Sequence, residues 1–266
     1  MADLPALSFE ARGLTDVGQR RDHNEDAFLV DEGLGLYVVA DGMGGHAGGG
    51  TASRLAVETI QQSVRAARTA DPGAFGAGIG VEDSFLPDVL RDAVEAACAK
   101  IFETAQAEPS LAGMGTTVTA ALVDGRVAFV AHVGDSRCYL VRQGRIYQVS
   151  EDHSLVNEQI KAGAMSPDEA KHSRFKNIIT RSVGFEQQVQ VDLMGLDLEP
   201  GDAIVICCDG LSNLVEDAEI LQIVEEVPLD QAPDRLVALA NARGGDDNIT
   251  VVVIRAGAPT PAPAPA

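Results

Sequence analysis

Basic residues are scarce in this chain: 20 Lys and Arg stand against 40 Asp and Glu, a formal net charge of −20 over 266 residues. So acidic a chain repels phosphate backbones and anionic lipid, which excludes nucleic acid and anionic membrane as partners. Long apolar runs are also missing. No segment is long and apolar enough to cross a bilayer, so membrane insertion is not expected. The opening stretch MADLPALSFE has neither the positive start nor the apolar middle of a secretion signal, which reads as a cytoplasmic chain. There are four cysteines, Cys98, Cys138, Cys207 and Cys208, and no C-x-x-C pair. Zinc spacing of Cys and His is absent, and the thiols read as small buried apolar groups of a reducing compartment. Adjacent Cys207 and Cys208 would point to opposite faces of a strand.

What is present is globular: 45% of residues are hydrophobic and 23% charged. The end, AGAPTPAPAPA over 256–266, is Pro/Ala-rich and is expected to be a disordered tail, leaving 1–255 as one domain without internal repeats. Apolar spacing of 3.6 residues predicts helices over 47–68 (Leu55, Val57, Ile60, Val64) and 84–107 (Leu86, Leu90, Val94, Ile101), separated by a Gly-rich loop over 72–81. The middle changes period. Residues 116–123 and 127–133 flank Asp124-Gly125, and 138–142 and 145–149 flank Gln143-Gly144, which predicts an antiparallel meander. Residues 154–184 read as short helix and loop, a mobile flap with a helix start at Ser166-Pro167-Asp168-Glu169. Strands at 188–198 and 203–208, helices at 217–226 and 231–242, and a last strand at 249–255 complete a layered α+β pattern.

Acidic residues recur where apolar strands end. Asp41 follows LYVVA, Asp209 follows AIVICC, Asp135 follows VAFVAHVG, Asp247 precedes ITVVVI, and Glu25 and Asp26 precede AFLV. A carboxylate at the end of a buried strand must be paired or bind metal. If the strand ends converge, these groups cannot all stay ionised without cations, and all-oxygen ligands select Mg²⁺, Mn²⁺ or Ca²⁺. Spacing alone leaves open that they lie on separate solvated loops.

Gly42-Met43-Gly44-Gly45-His46-Ala47 formally matches the dinucleotide fingerprint G-x-G-x-x-A. That motif requires a return to a parallel second strand, and here a Gly-rich loop and a second helix follow instead. Glycines that let backbone approach a metal cluster are the better reading. His46 beside this loop is a candidate general acid, and Arg21 a candidate phosphate fork.

Arg21-x-x-Asn24-Glu25-Asp26, Val39 to His46, Gly115-Thr116-Thr117, Val133 to Arg137, Asp152-His153-Ser154, Cys208 to Leu211 and Asp246 to Thr250 occur in that order. Together they resemble the metal-dependent protein phosphatases of the 2C type in their bacterial form, over about residues 8–255. The resemblance implies a four-layer α-β-β-α sandwich, two antiparallel sheets flanked by helices with a dinuclear metal site between them. It implies that Asp41 bridges two Mn²⁺ or Mg²⁺ ions, that the Gly42 carbonyl binds one and that Asp209 and Asp247 bind the other. Glu25 and Asp26 would act through bound water. Asp135, with Asp209, would match a third metal position. Arg21 would hold the substrate phosphate and 154–184 would be the flap beside the site. Family members from eukaryotes carry His directly after Asp-Gly, where this chain has Met43, so the role of His46 departs from that pattern.

The implied reaction is hydrolysis of phosphoserine and phosphothreonine in proteins by metal-activated water, opposing a bacterial serine/threonine kinase. A catalytically silent regulatory module and a phosphatase of small metabolites are the competing readings. Retention of Asp41, Asp209 and Asp247 separates the first from an enzyme, and relative turnover of phosphoprotein and metabolite separates the second.

Overall fold

The computed structural model describes residues 6–44, 48–75, 84–171 and 173–259. Its strands are β1 (Leu7–Asp16), β2 (Ala27–Asp31), β3 (Leu36–Ala40), β4 (Gly42–Met43), β5 (Gly115–Thr116), β6 (Val118–Asp124), β7 (Val127–Val133), β8 (Arg137–Arg142), β9 (Arg145–Gln148), β10 (Asp192–Asp197), β11 (Ala203–Cys207) and β12 (Ile249–Pro259). The α-helices are α1 (Gly48–Ala70), α2 (Leu86–Ala107), α3 (Leu155–Lys161), α4 (Pro167–Lys171), α5 (Asp209–Ser212), α6 (Asp217–Glu226) and α7 (Ala232–Ala242). Two five-stranded sheets, in orders β1-β12-β11-β8-β9 and β10-β7-β6-β3-β2, carry the fold, and β4 pairs with β5 in a short ribbon. Every ladder among the described residues is antiparallel, which argues against the dinucleotide-binding alternative and its parallel crossover.

Side-chain alternation along the central strands builds three cores. On β3, Leu36, Val38 and Ala40 face α1 and α2, while Tyr37 and Val39 face the other sheet. On β11, Ala203, Val205 and Cys207 face α6 and α7, while Ile204, Ile206 and then Cys208 point between the sheets. The two neighbouring cysteines thus lie in different layers, and all four thiols are free and buried. Strands buried on both faces read as unbroken apolar runs, which is why LYVVA and AIVIC lack polar alternation. In α1 the buried Ala52, Ala56, Ile60 and Val64 recur every fourth residue and form the stripe laid on the sheet. The result is the expected α-β-β-α sandwich.

Several boundaries differ from expectation. β1 was not foreseen, because its apolar residues Leu7, Phe9 and Ala11 give way to Gly13 and charge. Its pairing along β12, from Leu7 opposite Pro259 to Asp16 opposite Ile249, makes it a strand. The same pairing carries β12 to Pro259, so the first four residues assigned to the Pro/Ala tail belong to the sheet. Residues 260–266 lie outside the described residues. The strand expected over 188–198 is confined to Asp192–Asp197, where β7 supplies a partner. At the hairpin between β8 and β9, Gln143 (φ 51°) and Gly144 (φ 72°) both adopt the left-handed region, as a two-residue turn of this hand requires.

The flap region contains α3 and α4 and is fastened at both ends, by bridges between Ser154 and Ile179 and between Thr116 and Val183. Beneath it, His153 Nδ1 accepts from the Gly134 N–H (3.0 Å), so its Nε2 carries the proton donated to Asp192 Oδ2 (3.0 Å). Asp192 also accepts from Arg181 (2.6 Å). The flap base is thereby tied to β10 and to the turn that carries Asp135. Among the described residues no helix is long and apolar enough to cross a membrane.

Candidate metal centre

Antiparallel pairing delivers the acidic residues to one end of the sandwich. Ala27 on β2 lies opposite Ala40 on β3, so the flanking Asp26 and Asp41 emerge side by side. In the other sheet Cys207 lies opposite Val251, which sets Asp209, just after β11, near Asp247, just before β12. Asp135 follows β7 at the same end. Asp209 opens α5, a short helix the sequence pattern did not signal, and accepts from Asn213 Nδ2 at 3.1 Å.

The backbone around Asp41 is clamped. Its N–H donates to Thr117 Oγ1 (3.0 Å), and its carbonyl accepts from the Thr117 N–H (2.8 Å) and Thr116 Oγ1 (2.9 Å). Asn248 is a strut across the site. Its Oδ1 accepts from the Glu25 N–H (2.8 Å), and its Nδ2 donates to the carbonyls of Val17 and His23, both at 3.0 Å. Thr250 Oγ1 donates to Asp26 Oδ2 at 2.6 Å. Backbones meet closely here: a Cβ on Gly42 would lie 2.2 Å from the Gly49 carbonyl oxygen and 2.4 Å from that of Glu25. Thr116, Thr117, Asn248 and Thr250 stood in the motifs but had been given no function. The available signal was a polar residue beside an otherwise apolar strand.

The electrostatics are those of crowded anions. Burial raises Asp41 well above its ordinary value, and Asp26, Asp209, Asp135 and Asp247 add repulsion. Burial likewise pushes Asp26 up to about 7, opposed by the hydrogen bond from Thr250 and the nearby Cys208 thiol, with Asp209 and Asp247 adding repulsion. Asp135 rises to about 8 through burial, then repulsion from Asp209 and Asp152. Asp209 rises to about 6 through burial and then Asp247, opposed by Lys176 of the flap, a hydrogen bond with Asp41, and Arg21. Among the described residues, the buried carboxylate oxygens Glu25 Oε1, Asp26 Oδ1 and Asp135 Oδ1 have no hydrogen-bond partner. Buried polar atoms are almost always satisfied, so orphaned acceptors among repelling carboxylates are what a site for hard cations or their water presents. The residues therefore fit a divalent metal centre.

Asp41, Asp209, Asp247, Asp135, Glu25 and Asp26 are thus brought together. Arg21 is there too, but its Nη2 donates to Asp247 Oδ2 at 2.6 Å and is not aimed at open space. His46 lies outside the described residues. A cleft of about 900 Å³ leads away from the centre between the flap and α6, with Asp135 and Asp209 at its inner wall and Ser154, Lys176 and Asp217 farther along.

A family model described as protein phosphatase 2C matches residues 17–245. The chain belongs to the protein phosphatase 2C family. Its class is that of a metal-dependent protein phosphatase. It is 37% identical over 251 residues to the protein phosphatase PhpP of Streptococcus pneumoniae, covering 91% of this chain and 95% of the relative. Its fold is similar to the crystal structure of the serine/threonine phosphatase PstP/Ppp of Mycobacterium tuberculosis, with TM-score 0.83, 32% identity, and coverage of 94% of this chain and 99% of the other. It is also similar to a structure of the PstP catalytic domain in complex with two manganese ions, with TM-score 0.81, 33% identity, and coverage of 95% of this chain and 100% of the other.

Proposed function

We propose that this chain hydrolyses phosphoserine and phosphothreonine in proteins at the carboxylate centre between the two sheets. The observation that carries the reading is the convergence of Asp41, Asp209, Asp247 and Asp135 from both sheets around orphaned buried oxygens. Asp41 would bridge two ions, the Gly42 carbonyl would bind one, and Asp209 and Asp247 the other. Asp135, with Asp209, would hold a third. Mn²⁺ or Mg²⁺ suits this all-oxygen set, and the PstP neighbour with two manganese ions favours Mn²⁺. When bound, such ions supply water activated at neutral pH and neutralise the phosphate dianion.

The remaining work belongs to the chain. Glu25 and Asp26 offer their unpartnered oxygens to order water at the centre. Arg21, held at the centre by its bond to Asp247, would grip the phosphate oxygens as a planar fork. The Thr116–Thr117 clamp fixes Asp41, so it need not reorganise when charge develops. His46 is the proposed proton donor to the seryl or threonyl oxygen as it leaves. The cleft beneath the flap receives the polypeptide on either side of the phosphorylated residue. The substrates we infer are cytoplasmic phosphoproteins, among them a serine/threonine kinase and its targets.

Hydrolysis of a phosphothreonine peptide by metal-stripped protein, with and without Mn²⁺ and beside Asp247→Asn, tests the reading. Turnover is expected with Mn²⁺ alone and is expected to vanish in the variant. An Asp247→Asn protein with wild-type turnover would refute the ligand assignment, and an intact fold silent in every metal would favour a regulatory module.

A further inference from the structure

Cys208 lies in the metal centre, not beside it. Its sulfur and one carboxylate oxygen each of Asp26 and Asp41 lie within 4.8 Å of one another, close enough to ligate a single ion. Two independent features mark this as more than an enclosed thiol. Asp26 Oδ1 is buried and without a hydrogen-bond partner, an acceptor held ready for a cation. The Thr250 N–H donates to Cys208 Sγ at 3.0 Å, a backbone bond that fixes the direction of the sulfur. The thiol's own hydrogen points to the Asn248 carbonyl at 3.3 Å. The other three thiols sit in different surroundings. Cys98 accepts from the Gly184 N–H and donates to the Glu186 carbonyl, while Cys138 and Cys207 are packed in apolar cores.

We propose that Asp26, Asp41 and Cys208 form a mixed carboxylate–thiolate site that selects soft or borderline divalent ions, Zn²⁺ and Cd²⁺, over Mg²⁺ and Mn²⁺. Sulfur favours these ions strongly, whereas the hard cations of the proposed reaction take oxygen. Binding forms a metal–sulfur bond and releases the thiol proton to solvent. Because Asp41 serves both sets, a soft ion here excludes the hard ion that Asp41 would bridge. The centre thus carries its own point of inhibition, set by one sulfur atom between the sheets. The site stands on geometry and does not depend on turnover.

The test is titration of the metal-free protein with Cd²⁺, read by the ultraviolet sulfur-to-cadmium charge-transfer band. The wild type is expected to develop the band with one equivalent of ion. Cys208→Ser, which keeps Cys98, Cys138 and Cys207, is expected to lose it. Asp26→Asn keeps all four thiols and is expected to need about tenfold more Cd²⁺ for the same band. No band in the wild type, an undiminished band in Cys208→Ser, or an unshifted titration in Asp26→Asn would each overturn the proposal. If Cys208→Ser does not fold by circular dichroism, the Asp26→Asn titration decides.

Discussion

Replacing Asp209 by Asn should stabilise the metal-free protein at alkaline pH while abolishing its response to metal. Asp209 is raised from 3.8 to about 6 in the folded chain, by burial first and by Asp247 second. The folded form therefore holds a proton over pH 4–6 that the unfolded form has released. Stability from this group is complete in acid and is lost as pH rises through about 6. The shift is about two units, and at about 1.4 kcal/mol per unit the ionised group costs about 3 kcal/mol, an upper figure because Asp209 keeps some contact with solvent. Asn removes the charge, and its amide can donate to Asp41, with which Asp209 already shares a hydrogen bond. Without metal, Asp209→Asn should gain up to about 3 kcal/mol at pH 8, roughly 6–12 °C in melting temperature, and under about 1 kcal/mol near pH 4. With Mn²⁺ at a hundredfold its dissociation constant the wild type should gain about 2.7 kcal/mol and the variant far less, closing or reversing the gap. Thermal melts at pH 4 and 8, in chelator and in Mn²⁺, measure all four states. Equal destabilisation of the variant at both pH values in chelator would refute the account of crowded anions.

Gly210→Ala would place a Cβ 1.9 Å from the Asn248 carbonyl oxygen. Relief of that clash should cost roughly 1–3 kcal/mol or more and displace the strut that holds Glu25, so a wild-type melting curve would count against the packing described. Arg21→Ala should raise KM for a phosphopeptide by about tenfold or more, as loss of a charge-assisted bond predicts, and steady-state kinetics showing an unchanged KM would remove Arg21 from phosphate binding. His46→Ala should slow an alkyl phosphate on the order of a hundredfold while sparing an aryl phosphate with a good leaving group. Equal slowing of both would end its assignment as the acid.

Much of the site was legible because buried charge is rare. Asp41, Asp209, Asp135 and Asp247 each adjoin a strand apolar on both faces, and few roles are open to a carboxylate in that position. The antiparallel meander was legible from Asp124-Gly125 and Gln143-Gly144, since turn chemistry is local. β1 was not legible, because an edge strand with one buried side has weak alternation and is defined by its partner β12 at the other end of the chain. The end of β12 was misjudged for the same reason: Pro/Ala composition argues for a tail, and pairing with Leu7 and Phe9 overrides it as far as Pro259. α5 was hidden because four residues offer no period to detect.

The sequence by itself determined which residues carry charge into the interior, which strands are covered on both faces, and where the chain turns, because these depend on side-chain chemistry and short-range geometry. Only the tertiary structure decided that two separate sheets end at one point. It also decided that Arg21 rests on Asp247, that Thr116 and Thr117 clamp Asp41, and that Cys208 turns its sulfur toward Asp26 and Asp41 while Cys207 turns away. These are consequences of strand register between segments far apart in the chain. Register is set by the packing of the whole sandwich, because a shift of one residue would turn every side chain to the opposite face.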